Sequence, residues 1–195
     1  MGMTLLALLW CPAQDGDEAR LRSEFTEGLK STETAKRVEA VKKLAGAKEE
    51  KTVEALAGAL KDAEKDVKKS AAETLAACAD GAGVAIKPLR AVLLNKQEHP
   101  DVLNACAQAI AKSRYRTEPV ETLIEVISAI QNTDRHLHEF GKNATVLLEK
   151  MTGEEGFGYG RNTPYLWSEW WKENKAKFQK EDETKRAEYA KERKK

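Results

Sequence analysis

Apolar residues along this chain fall into two alternating patterns. The first is a small residue followed four positions later by a large one: Ala40 with Leu44, Ala71 with Leu75, Cys106 with Ile110, and Ala144 with Leu148. Residues four apart share a helical face. The small one lets a neighbouring helix approach and the large one fills the groove beside it. The second pattern is an apolar triplet at i, i+3, i+7: Val53, Leu56, Leu60; Ile86, Leu89, Leu93; Val120, Leu123, Ile127. Each triplet is one stripe of a 3.6-residue helix. The small-large pairs recur at intervals of 31 to 38 residues.

The spacing predicts an all-α chain of two-helix units at about 34–62, 66–96, 101–131 and 136–178. A lone N-terminal helix is expected over Asp17–Lys30, and a charged, solvated helical extension over 179–195. One helix pair is too small to bury its own apolar faces, whereas stacked pairs shelter one another in a short α-α superhelix. The competing arrangement is an ordinary bundle whose large residues meet at one centre. Gly46, Asp80–Gly83 and Ser113–Thr117 read as turns. Pro88 and Pro119 read as lying near the starts of second helices, where a missing N–H costs little. The helix around Val120–Ile130 is apolar on several sides, with Ile124, Val126 and Ile130 added to its triplet. That width predicts that the C-terminal segment folds back over it.

The run from Leu60 to Leu75 contains Asp66, Val67 and Lys68 ahead of small residues and then Leu75. This arrangement resembles the HEAT-repeat pattern, in which an Asp-Val-basic triplet precedes small residues and a leucine. Asp101 and Val102 match the triplet in the next unit, with Leu103 in place of the basic residue, and the first unit lacks the Asp. The resemblance covers roughly residues 34–150 and implies an armadillo-like helical solenoid. The Thr-Gly, Phe-Gly and Trp-x-x-Trp-Trp order after Met151 is similar to the ending of exported bacterial HEAT-repeat proteins of unassigned activity.

That ending departs from the repeats. Thr152–Tyr165 is an insert with Gly153, Gly156, Gly158 and Gly160. Phosphate-cradling loops follow a strand and have Lys-Ser/Thr close behind; this insert follows a helix and lacks that lysine, so nucleotide binding is not expected. Trp167, Trp170, Trp171 and Phe178 then lie on one helical stripe about 100° wide. This stripe predicts a structural cap in which the last helix replaces the second helix of unit four and closes the stack. Asn174 lies within the stripe, and its amide is expected to bond to the backbone of the insert.

Lys and Arg total 33 against 32 Asp and Glu, a net charge of +1, so the whole molecule has no electrostatic drive toward nucleic acid or an anionic membrane. Residues 1–16 contain a short apolar run at Leu5–Trp10 broken by Pro12, which reads as a signal-peptide remnant and predicts export to the periplasm or cell envelope; the alternative is a disordered N-terminus or an apolar helix packed on the first repeat of a cytoplasmic protein. Cys78 and Cys106 read as small buried residues set too far apart along the helix axis for a disulfide. His136 and His138 are two apart, so their imidazoles diverge; zinc sites on helices use four. They read as surface residues.

No nucleophile–base pair, carboxylate dyad or ligand cluster is evident, and no catalytic residue, metal or cofactor is expected. The expected activity is that of a non-enzymatic scaffold binding a protein partner on the concave face lined by second helices. The candidate partner surface is Glu54, Lys87, Arg90, Glu121 and Glu125. The alternative is a HEAT-like enzyme or nucleic-acid binder similar to alkylpurine DNA glycosylases or bilin lyases. These would need a basic concave face, whereas the five residues are mixed in sign.

Overall fold

The computed structural model describes residues 15–78, 82–130 and 135–192. Those residues form helices α1 (Asp15–Gly28), α2 (Thr34–Lys42), α3 (Glu50–Gly58), α4 (Lys65–Ala77), α5 (Ala82–Leu93), α6 (Pro100–Ala111), α7 (Thr117–Ala129), α8 (His138–Thr152) and α9 (Thr163–Glu192). Among the described residues there is no strand. The apolar run at Leu5–Trp10 and Cys11 lie outside the described residues, as do Asp80 and Gly81 of the expected turn.

Packing follows the repeat. The first helices α2, α4, α6 and α8 pack each on the next, and so do the second helices α3, α5 and α7. Each second helix also packs on the first helix of the following unit, which locks one brick to the next. Every small-large pair is buried at this stack of first helices, from Ala40 and Leu44 to Ala144 and Leu148. The large residues therefore form a row along the stack. This is a helical solenoid, and its hydrophobic core is one continuous band running its length.

Ion pairs reinforce the same joints. Arg37 and Lys68 each stand three residues before the small residue of their unit. Each reaches the turn ahead of the next first helix: Arg37 makes a two-pronged contact with Asp62 (2.9 and 3.0 Å), and Lys68 meets Glu98 at 2.6 Å. The basic residue of the Asp-Val-basic triplet is thus an inter-unit tie. In the third unit Leu103 takes that place and is buried as part of the core.

Burial alone would raise the Glu98 carboxyl. The Lys68 hydrogen bond, the His99 N–H and the positive charge of Lys68 outweigh it and hold the carboxyl below its ordinary range. A lowered folded value means stability that is complete above the unfolded carboxylate range, near pH 4.3 for glutamate, and lost as pH falls through the folded value. Acid titration of thermal stability should therefore show a loss below about pH 4. Glu98→Gln should flatten that slope and cost about 1.5–3 kcal/mol at pH 7, since the pair is charge-assisted and its side chains are only 18% and 9% exposed.

Two local expectations are corrected. Ala82 and Gly83 belong to α5, so Pro88 sits inside that helix and not near its start. The missing proline N–H leaves the Val84 carbonyl without its helical partner. Pro119, in the first turn of α7, does fall where that loss is small.

Cys78 and Cys106 are free thiols in the core. Burial first, then the nearby Glu98 charge, pushes the Cys106 thiol up to about 12. It is an inert packing group at neutral pH.

Candidate functional site

The second-helix layer places Glu54, Lys87 and Glu121 in one column, each a residue after the first member of its apolar triplet. Charge alternates along that column, and the neighbouring helices use it. Arg90 of α5 donates to Glu125 of α7 from Nε at 2.8 Å and Nη2 at 2.5 Å. Glu121 of α7 receives Lys175 of α9 at 2.5 Å and the Trp171 indole N–H at 3.3 Å. Three of the five expected surface residues are therefore engaged within the chain. Glu54 and Lys87 are exposed and make no hydrogen bond or ion pair with another described residue. Half-exposed pairs such as Arg90–Glu125 contribute little to stability, about 0–1 kcal/mol. Their effect is to neutralise one another's charge on a face whose spacing the helix packing sets.

The five cap residues all lie on α9. Trp167, Trp171 and Phe178 are buried, while Trp170 and Asn174 are half-buried. Phe157 of the insert meets Trp167 edge-on at 4.9 Å, and Trp170 and Trp171 stack at 6.2 Å. The Trp170 indole donates to Glu154 at 2.9 Å, which ties the start of the insert to the helix. Asn174 does not reach the insert: its amide donates to the Trp170 carbonyl of its own helix at 2.8 Å. On a helix, a polar side chain facing the preceding turn finds an acceptor there without any tertiary partner.

The direction of α9 differs from that of a second helix. Arg116, at the start of α7, donates through its guanidinium to the Met151 carbonyl, so α7 begins where α8 ends. The insert then travels back along α8: Tyr159 lies edge-on to His138 at 5.3 Å, at the opposite end. Ten residues can span about 33 Å, enough to retrace a helix about 22 Å long. From there α9 runs alongside α7 in reverse, with Trp171 and Lys175 beside Glu121 and Asp182 beside Arg116 and Thr117. The C-terminal segment does fold over α7, but it runs opposite to the direction a second helix would take.

The glycines make that return path possible. Gly153 has a φ of +74° and its N–H bonds to the Glu149 carbonyl at 2.9 Å, the left-handed residue that ends α8. Gly141 leaves the space that Tyr159 occupies, since a Cβ there would collide with the phenol ring.

Two buried carboxylates escaped the sequence reading. Asp182 accepts from the Arg116 and Thr117 N–H groups at 2.8 to 3.0 Å. Glu18 of α1 does the same for Lys48 and Glu49 at 2.8 and 3.0 Å. These amides open α7 and α3, neither of which has a capping side chain of its own. Each terminal helix thus supplies, in trans, a carboxylate acceptor for the amides at the entrance of a second helix. A signal was present: Asp182 falls four residues after Phe178 on the buried stripe, and Glu18 shares a face with Leu21, Phe25 and Leu29.

His136 and His138 face different neighbours, His136 the Lys96 carbonyl at 3.1 Å and His138 the Tyr159 ring. Among the described residues, no group of three His, Cys, Asp or Glu side chains could hold a metal ion, and no helix is long and apolar enough to cross a membrane.

Stacked two-helix bricks with continuous layers of first and second helices, closed at both ends by a capping helix, define a helical-repeat protein. Residues 23–111, from within α1 to the end of α6, match the family model of HEAT repeats. Together with the stacked-pair architecture, that match makes residues 23–111 similar to HEAT repeats. No curated protein and no solved structure matches the chain. HEAT repeats generally mediate protein–protein interaction, and the family is typically non-catalytic.

Proposed function

We propose that this protein is a non-enzymatic scaffold that binds a protein partner on its second-helix face. The observation that carries this reading is the state of the charges there. Arg90, Glu121 and Glu125 are paired between adjacent helices, which leaves the acidic Glu54 and the basic Lys87 open to solvent on that face. A partner meeting this face brings complementary charges to these two exposed groups, while the paired side chains around them have less freedom to lose. The alternating signs speak against a nucleic-acid surface, where clustered lysine and arginine are required.

The test is site-specific photo-crosslinking from position 87, compared with position 69 on α4, in the first-helix layer. A discrete adduct from 87, absent from 69 and reduced at least tenfold by Glu54→Lys in the same protein, is the expected result. Equal labelling from both positions contradicts the reading. Salt-sensitive binding of the wild-type protein to duplex DNA at low salt would favour the nucleic-acid alternative instead.

A further inference from the structure

α9 continues well past its apolar stripe. Beyond Phe178 no apolar side chain of the described helix is buried, and the one buried residue there is Asp182. This part of the helix was expected to be a solvated extension, yet it is docked. Besides the Asp182 cap, Arg186 lies over the Tyr115 ring at 4.9 Å and Arg114 over the Tyr189 ring at 4.4 Å. Lys185 donates to the Arg114 carbonyl at 3.4 Å. All of these contacts converge on the short turn between α6 and α7.

The N-terminal end of the array shows what a permanent attachment looks like. Glu18 makes the equivalent cap on α3, but its helix also buries Phe25 and packs Leu21 and Leu29 against the core. Residues 179–192 have no such apolar anchor. Their hold includes the Asp182 carboxylate, two ring–cation contacts and the Lys185 hydrogen bond, each small beside the burial of a large apolar side chain. The aromatic cluster from Trp167 to Phe178 secures the helix only up to that point.

The docked segment also forms one wall of a cleft of about 550 Å³. Ile86, Tyr115 and Thr117 line it from the array, and Gln179, Glu183 and Arg186 line it from α9. The cleft lies at the edge where α5 and α7 begin, so half of its lining would leave with the segment.

We propose that residues 179–192 are a detachable latch, closed over the α6–α7 turn by Asp182 and able to undock while the repeats stay folded. Closed, it covers the start of α7 and occupies Arg114 and Tyr115. Open, it bares that edge, including the backbone amides of Arg116 and Thr117, as a surface separate from the second-helix face. Sub-global opening of this kind is expected where a segment has few buried apolar contacts and a local anchor.

Hydrogen exchange on the full chain, read by peptide mass spectrometry, tests this with Asp182→Ala. Exchange in 179–192 and around 116–117 should rise at least tenfold, with protection in α4 and α6 and the melting temperature essentially unchanged. Trypsin should cut at Lys180 and Lys185 correspondingly faster and leave the array intact. Asp182→Asn, which keeps one acceptor oxygen, should fall between wild type and alanine. Unchanged exchange in 179–192 overturns the proposal. So does parallel loss of protection in α4 and α6, or failure of the alanine variant to fold, because the segment would then belong to the cooperative core.

Discussion

Truncating Leu75 to alanine should destabilise the protein by about 2–5 kcal/mol, read from urea or thermal unfolding. Leu75 is 1% exposed and lies on α4, which packs against α2 on one side and α6 on the other. The cavity cannot be closed by movement of either neighbour, since each is held in turn by the next helix and by the Arg37–Asp62 and Lys68–Glu98 ties. Domains of ordinary stability have only about 5–15 kcal/mol to lose. For a chain of this size the loss corresponds to a fall in melting temperature of roughly 5–20 °C. In a repeat array the damage is not confined to one brick: weakening α4 loosens both of its joints.

Trp167→Ala should have an effect of similar or greater size, about 3–5 kcal/mol. Trp167 is fully buried, with Phe157 of the insert on one edge and Trp170 on another. Its loss removes the ring that holds the insert against α9, and so undoes the return path that lets α9 run back along α7. Trp167→Phe should cost markedly less. It retains most of the apolar contact and also removes an indole N–H that is buried without a hydrogen-bond partner. Tyr165→Ala is the control; at 65% exposure two residues earlier on the same helix, it should fall within about 0.5 kcal/mol of wild type. Equal losses at 165 and 167 would mean that the aromatic stripe is not a packed cap.

The repeat was legible because its physics is local and periodic. Ala71 and Leu75 declare a helix face, and the same pair in other units declares that this face meets another like it. The direction of α9 was not legible. A stripe such as Trp167, Trp171 and Phe178 states which side of a helix is buried, but the same stripe serves a helix running either way. The meeting of Asp182 with Arg116, residues 66 apart in the chain, together with that of Lys175 with Glu121 reveals the reversal. Asp182 and Glu18 were hidden by a similar limit, since a carboxylate on an apolar face has no meaning until its partner amides are known. Pro88 misled for a different reason: neighbouring Gly81 and Gly83 read as turn, although Gly83 is helical in α5.

The candidate surface was legible in composition but not in state. Glu54, Lys87, Arg90, Glu121 and Glu125 all lie on second helices, but the sequence does not show which of them are paired. Arg90 with Glu125 are 35 residues apart, a span that crosses a repeat joint. Such pairs follow from the offset between bricks, which only packing sets.

The central claim is that each brick draws its shelter from adjacent bricks and from nothing farther away. Double-mutant cycles on the row of large residues measure this directly. Leu75 with Ile110, on adjoining helices α4 and α6, should show a coupling energy of about 0.5–3 kcal/mol, whereas Leu44 with Leu148, at opposite ends of the row, should be additive within about 0.5 kcal/mol. A coupling between Leu44 and Leu148 as large as that between Leu75 and Ile110 would mean a single shared centre and would contradict the account.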